Sequence, residues 1–156
     1  MKKQHNEALK LAIRLLSLRD RTEAEIRHKL ELKGFSLEEI ENVVNCLKSK
    51  GFIDDSKFIK KIGHIAENRL LGEVGVKNYL LKRGIEREIL ESAPKFDEFV
   101  IAQKLLQKKE RFFKDVSPDK RKAKMAGFLL RRGFSWDTVN RCLKEEKALF
   151  RDSESQ

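Results

Sequence analysis

The feature of this sequence that most constrains its fold is a short segment that occurs three times. The copies are Leu30–Ser36, Leu80–Ile85 and Leu129–Ser135, and each contains one glycine. The three glycines lie about 50 residues apart, a period typical of repeat proteins. Apolar residues recur eight and four positions before each glycine and one and six positions after it: Ile26, Val76, Met125; Leu30, Leu80, Leu129; Phe35, Ile85, Phe134; Ile40, Leu90, Val139.

The local chemistry of each copy predicts a tight corner between two helices. Thr22–Glu25 and Ser36–Glu39 both have the spacing of a capping box, which begins a helix. Gly34 fits the left-handed position that ends the first of these helices. In the third copy Ser117–Pro118 offers an N-cap followed by proline at the first helical position, and Ser135 can cap the helix after the corner.

A further amphipathic helix precedes each pair. We therefore predict an all-α protein of nine helices, in three tandem three-helix, helix-turn-helix-like repeats that form an elongated, curved arrangement. The repeats are expected at residues 1–50, 51–95 and 96–148, with a longer joint at 112–119 and a C-terminal tail at 149–156 that frays from about residue 152. Asp54 and Asp55 are expected to cap the first helix of the second repeat. The apolar stripes of the three leading helices are Leu9, Ala12, Ile13, Leu16; Phe58, Ile62, Ile65, Ala66; Phe99, Ala102, Leu106.

The charge is large and uneven. The 156 residues include 35 Lys and Arg against 25 Asp and Glu, which gives a net charge of +10. Most of the excess lies between Lys104 and Arg132. A strong positive field attracts polyanions, here nucleic acid, an acidic protein face or an anionic membrane, and composition does not choose among them.

Several classes of function find no support in the sequence. The N-terminal residues are amphipathic rather than a signal peptide, and no run is long and apolar enough to span a membrane. Cys46 and Cys142 are far apart and are expected to be buried free thiols in a reducing cytoplasm. His5, His28 and His64 belong to no metal-ligand or triad pattern, so we expect no metal, no cofactor and no catalytic centre.

Three segments resemble the signatures of the RecX family of recombination regulators. Leu18–Leu30, continuing to Lys33-Gly-Phe, is similar to the signature of the family's first repeat. Gly51–Phe58 resembles the second signature, and Leu130–Ser135 resembles the third. Arg69 stands where the family has an arginine. Ile26 and Ile59 depart from the commoner residues, and the resemblance extends over roughly residues 6–146.

The resemblance implies tandem three-helix repeats and inhibition of the RecA recombinase. It predicts a cytoplasmic regulatory protein that binds the RecA nucleoprotein filament and affects recombination and the SOS response, with no enzymatic activity. We expect a monomer that binds no membrane and that can contact DNA through its basic surface.

Twelve cations are candidate contacts to RecA or phosphate. The basic residues beside the corner glycines can instead favour the negative end of a helix by roughly 0.3–1 kcal/mol. The pair at the start of the first signature can form local salt bridges, and the cluster after residue 119 can be a solvated helix face. The candidates are Arg19, Arg21, Lys33, Arg69, Lys82, Arg83, Lys120, Arg121, Lys122, Lys124, Arg131 and Arg132.

The rival interpretation is a helix-turn-helix protein that binds DNA, since helical corners with basic flanks are common in that class. The helices after the corners at Gly34 and Gly84 begin with acidic residues. That charge is wrong for a helix that approaches phosphates and bases, so the regulatory interpretation is favoured.

Overall fold

The computed structural model describes the backbone of residues 2–150 and the side chains of residues 6–150, and this part of the chain contains helices and no strands. The predicted frayed tail, from residue 152, lies outside the described residues. The helices are α1 Lys2–Leu18, α2 Glu23–Leu32, α3 Leu37–Ser49, α4 Ser56–Lys60, α5 Ile62–Arg69, α6 Glu73–Lys82, α7 Arg87–Glu91, α8 Glu98–Lys108, α9 Arg111–Lys114, α10 Pro118–Arg131, α11 Trp136–Lys144 and α12 Glu146–Leu149.

The all-α prediction is confirmed, but the described residues form twelve helices rather than nine. The predicted first helix of the second repeat is divided at Lys61, where the backbone leaves the helical conformation at φ −99° and ψ 12°. The predicted joint contains α9, which buries Phe113 with its ring centroid 5.9 Å from that of Phe128. The last helix, α12, follows α11 directly and buries Glu146.

The predicted helix starts and corners are largely confirmed. Thr22 accepts the backbone N–H of Glu25 and Ser36 accepts that of Glu39, and both capping boxes are complete. Gly34, Gly84 and Gly133 all have positive φ, between 78° and 86°. A glycine adopts this conformation without the steric cost that other residues incur, so each glycine ends its helix.

Two of the other expected caps differ in detail, those at Ser117 and Asp55. Ser135 accepts the backbone N–H of Thr138 as predicted, but Ser117 stands at the N-cap of α10 without a side-chain cap bond. Asp54 accepts the N–H of Ser56 at 3.0 Å. Asp55 instead accepts the N–H of Glu23, at the start of α2, at 3.0 Å.

The described chain divides into two compact units, which we describe separately. Unit 1 contains residues 2–60 and 80–92. Its helices α1, α2 and α3 pack on one another, and α4 packs on α7. Ile13 was expected in this core but is 45% exposed. Ala8, one turn before the buried Ala12, is fully buried instead. The core residues of the first three helices are Ala8, Ala12, Ile26, Leu30, Ile40, Val43, Val44 and Leu47, and Ile53 joins them.

Unit 2 contains residues 61–79 and 93–150. Helix α11 packs against both α8 and α10. All three predicted stripe residues of α8, Phe99, Ala102 and Leu106, are buried. Cys142 is buried as predicted, whereas Cys46 in unit 1 is only half-buried.

The repeated apolar positions form the core in both units. Of the twelve residues that recur around the glycines, eleven are buried and only Phe35 is half-buried. Since burial of such side chains is the main favourable contribution to folding, the repeat in the sequence corresponds to a repeat in the packing. The repeat boundaries at 1–50, 51–95 and 96–148 remain a prediction.

Candidate partner-binding surface

The basic stretch places exposed cations on α8 and α10 of unit 2. Lys108, Lys120, Lys122 and Arg131 are exposed and form no ion pair with another described residue. Lys104, in contrast, pairs with Glu67. We call these four unpaired cations the basic surface. They are available to bind an anionic partner without breaking a contact of the fold.

Two of these cations lie near the start of a helix. Lys120 and Lys122 lie in the first two turns of α10, which begins at Pro118. The helix dipole places partial positive charge at this end, so added cations there are unfavourable.

Arg121 is half-buried and Lys124 is exposed, and both side chains make hydrogen bonds within unit 2. The Arg121 guanidinium donates to the carbonyls of Lys114 and Val116, both at 3.3 Å, and lies 3.7 Å from the carboxylate of Glu146. Lys124 Nζ donates to the carbonyl of Phe112 at 2.5 Å. These hydrogen bonds join α10 to the segment that contains α9, so the chain folds back on that segment after residue 117.

An exposed aromatic residue in α9 was not predicted from the sequence. The Phe112 ring is 59% exposed, and Lys109 Nζ lies 5.3 Å from its centroid. Phe113, the next residue, is buried. Neighbouring phenylalanines on a short helix cannot both face the core, and only the structure identifies which one is exposed.

The three corner cations have different surroundings despite their equivalent sequence positions. Arg83 is 14% exposed at its side chain and binds Glu25 with two hydrogen bonds of 3.0 Å. Arg132 donates to the carbonyls of Arg69 and Leu70 at the end of α5. Lys33 is exposed. The first two therefore stabilise the fold, while the third is accessible to a partner.

Glu25 is the electrostatic centre of unit 1. Burial by itself would raise the pKa of this carboxyl, but hydrogen bonds from Arg83, from Arg19 and from the backbone of Thr22 lower its pKa to about 2. Arg19, which is 49% exposed, binds it at 3.2 Å. The local salt bridge that the sequence offered for Arg19 is therefore formed.

The remaining candidates are distributed over both units. Arg21 donates from Nε to the carbonyl of Leu15 at 3.2 Å, near the end of α1. In unit 2, the Arg69 guanidinium carbon lies 3.8 Å from the centroid of the Tyr79 ring. Lys82, in unit 1, is exposed at the end of α6.

Glu98 is a buried acid that no sequence pattern singled out. Its carboxylate, 8% exposed, accepts hydrogen bonds from the Glu73 N–H at 2.5 Å, from the Ser135 N–H and hydroxyl, and from the Thr138 hydroxyl. Burial would raise the pKa of Glu98, but these bonds lower it overall. The residue connects the starts of α6, α8 and α11.

Two other kinds of site are absent from the described part of the chain. The side chains of residues 6–150 include no group of three or more His, Cys, Asp or Glu that could hold a metal ion. No helix within the same range has both the length and the apolar character needed to cross a bilayer.

Comparison with known proteins identifies two three-helix domains. Residues 8–52 match the family model described as RecX, first three-helix domain, and residues 97–143 match RecX, third three-helix domain. These matches occur in the order that the sequence signatures predicted.

Curated relatives carry the same name. The chain is 30% identical over 139 residues to a protein of Pelodictyon phaeoclathratiforme called Regulatory protein RecX, with 88% of this chain and 87% of the relative covered. It is 31% identical over 136 residues to Regulatory protein RecX of Chlorobium limicola, with 86% of each covered.

Solved structures have the same fold. The crystal structure of RecX from Lactobacillus salivarius superposes with a TM-score of 0.79 at 23% identity, covering 93% of this chain and 97% of that one. A second structure, titled crystal structure of regulatory protein RecX, has a TM-score of 0.79 at 25% identity and covers 91% and 73% of the two chains. Given its helical corners, its two matching domains and its relatives, the chain belongs to the RecX family of regulatory proteins.

Proposed function

We propose that this chain is a cytoplasmic, non-enzymatic regulator that binds the RecA nucleoprotein filament and inhibits RecA. It thereby affects recombination and the SOS response, and it acts as a monomer without cofactor or metal. The observation that carries the proposal is membership of the RecX family. Its relatives are called regulatory proteins, and the fold is one of helical repeats that present binding surfaces.

The basic surface supports an anionic partner. A RecA filament assembled on DNA carries the charge of the nucleic acid, and exposed cations without an ion-pair partner accelerate association with such a target. Lys120, Lys122 and Arg131 are exposed and make no described ion pair. The basic surface contributes an electrostatic part of the affinity, and this part weakens as the salt concentration rises.

The rival function, sequence-specific DNA binding by a helix-turn-helix, has weaker support. The helices after the corners have acidic residues in their first turns: Glu38 and Glu39 in α3, Glu88 in α7 and Asp137 in α11. These carboxylates would lie where a recognition helix meets bases and phosphates.

The test is direct binding of the full chain to RecA filaments on single-stranded DNA, measured by co-sedimentation over a series of salt concentrations. The variant Lys120→Glu/Lys122→Glu reverses two cations that support no described contact. A matched control, Lys10→Glu/Arg14→Glu, makes the same change in net charge on the exposed face of α1.

The wild type should bind, and the α10 variant should bind more weakly with a salt slope reduced by about 2 if both lysines meet phosphates. The control should retain the wild-type slope. Absence of wild-type binding would contradict the proposed function. Equal losses in the two variants would attribute the effect to net charge and not to this surface.

A further inference from the structure

Two of the three glycine corners hold the start of another helix. In unit 1, the corner at Gly84 meets the first turn of α2, and the Thr22 hydroxyl donates to the carbonyl of Arg83 at 2.5 Å. In unit 2, the corner at Gly133 meets the start of α6, where the Gly72 N–H donates to the carbonyl of Arg132 at 3.0 Å. The same docking geometry thus occurs independently in each unit.

The chemistry of this docking is simple. A helix leaves carbonyl acceptors unsatisfied at its end and N–H donors unsatisfied at its start, and opposite ends of two helix dipoles attract. The Val74 N–H accordingly donates to the carbonyl of Gly133 at 3.1 Å. Close approach is required: a Cβ at Gly84 would lie 2.3 Å from the Ala24 Cβ, and one at Gly133 would lie 2.0 Å from the Gly75 nitrogen. Only small residues fit in the docked helix start.

A carboxylate completes each docked helix start. The N–H of Glu23, the first residue of α2, donates to Asp55. The N–H of Glu73, the first residue of α6, donates to Glu98. At the first position of α10 stands Pro118, which has no N–H to donate. The start of α10, the equivalent helix in the third three-helix domain, therefore lacks the backbone N–H that α2 and α6 use to bind a carboxylate.

The corner of the first three-helix domain is open. Lys33 and Gly34 are exposed, and a Cβ at Gly34 would meet nothing within 4 Å. Two leucines flank it, Leu32 at 66% and Leu37 at 74% exposure. At the covered corners the position of Leu32 is taken by the cations Lys82 and Arg131. An apolar residue occupies this position only at the open corner, where a protein partner would bury it.

We propose that the open corner, residues 32–37, binds the N-terminus of a helix in a partner protein, with a small residue in the first turn of that helix. The third residue of the partner's helix carries a carboxylate that faces Lys33. In the same way Glu25, the third residue of α2, faces Arg83. A second copy of this chain is a poor occupant, because α10 has Lys120 at that position and Pro118 at its start.

The inference rests on the proposed function only for the partner's identity, the RecA filament. The corner itself is tested with a lactam-bridged helical peptide of residues 20–32, which carries the helix start that docks at Gly84. Amide shifts of the ¹⁵N-labelled full chain report where the peptide binds. A control peptide with Ala24→Leu has a bulky side chain at the point of closest approach.

The peptide should shift the amides of residues 32–37, and the shifts should be lost with the control peptide and in the Lys33→Glu chain. An unchanged spectrum at millimolar peptide, or equal shifts with both peptides, would overturn the inference.

In filament co-sedimentation, Lys33→Glu should lower affinity by about tenfold, as truncation of an interface anchor does. Lys29→Glu, an exposed cation one turn earlier in α2, should leave the affinity unchanged. If Lys33→Glu binds like the wild type, the corner is not the filament contact and the inference is overturned. If the wild type does not bind filaments, the proposed function fails, and the peptide titration still decides the corner.

Discussion

Replacing Glu25 by glutamine removes the charge on which two arginines converge while keeping the shape of the side chain. Arg83 is 14% exposed and would lose its counter-charge in a largely enclosed position. Burial opposes ionisation of Glu25, but the hydrogen bonds from Arg83, Arg19 and Thr22 lower its pKa from 4.5 to about 2. The ionised carboxylate therefore stabilises the folded state.

The size of the effect follows from the pKa of Glu25. A tenfold change in an acid's ionisation constant corresponds to about 1.4 kcal/mol, so lowering the pKa from 4.5 to about 2 corresponds to roughly 3 kcal/mol. Arg19 is half exposed, so water screens its contribution to this stabilisation. We therefore expect Glu25→Gln to lower the free energy of unfolding by about 2 kcal/mol at pH 7. Because the folded-state pKa is lowered, the stabilisation is complete above the unfolded pKa of 4.5. It is lost as the pH falls through about 2.

Urea denaturation followed by circular dichroism measures this difference in the free energy of unfolding. The difference between wild type and Glu25→Gln should be about 2 kcal/mol at pH 7 and below about 0.5 kcal/mol at pH 2. Glu31→Gln, an exposed position on the same helix, is the control and should match the wild type. A Glu25→Gln variant as stable as wild type at pH 7, or one whose deficit persists at pH 2, would show that the Glu25 charge does not stabilise the fold.

Three other predictions concern packing and reactivity. Gly84→Ala should lower the free energy of unfolding by about 3 kcal/mol and Gly34→Ala by only about 1 kcal/mol, as measured by urea denaturation. Both positions have positive φ, but only a Cβ at Gly84 would meet another side chain, 2.3 Å away. Equal losses would contradict the docked corner. Alkylation of the native protein at pH 8 should modify Cys46 and spare Cys142, where burial and then Glu145 raise the thiol pKa to about 11; rapid modification of both thiols would be inconsistent with the fold. Glu98→Gln should lower the melting temperature by several degrees, since a glutamine oxygen is a weaker acceptor for the hydrogen bonds that converge there; an unchanged melt would show that these bonds are not important for stability.

Features decided within one helical turn could be predicted from the sequence. A capping box such as Thr22–Glu25 depends on residues three apart, and a glycine such as Gly34 ends a helix through its own φ. The apolar positions around the glycines were equally accessible, since burial follows the helical period. These local rules predict the helix starts, the corners and most of the core.

Features decided by the opposing chain segment could not be predicted. Arg83 and Arg132 occupy equivalent sequence positions, yet one binds a carboxylate 58 residues away and the other binds backbone carbonyls. Arg121 looked like one cation in a solvated run, but the chain after the joint brings it against Lys114 and Val116. Each of these contacts depends on which chain segments pack together, and the residue types alone do not predict that packing.

The proposed regulation of RecA can be measured as a change in DNA-dependent ATP hydrolysis by RecA. Hydrolysis on single-stranded DNA is measured as the full chain is added, first in amounts well below that of RecA. Lys120→Glu/Lys122→Glu serves as the weakened variant and Lys10→Glu/Arg14→Glu as the charge-matched control. Substoichiometric wild type and control should lower the hydrolysis rate, and the weakened variant should require more protein for the same effect. A hydrolysis rate that stays constant as wild type is added would contradict the proposed regulation.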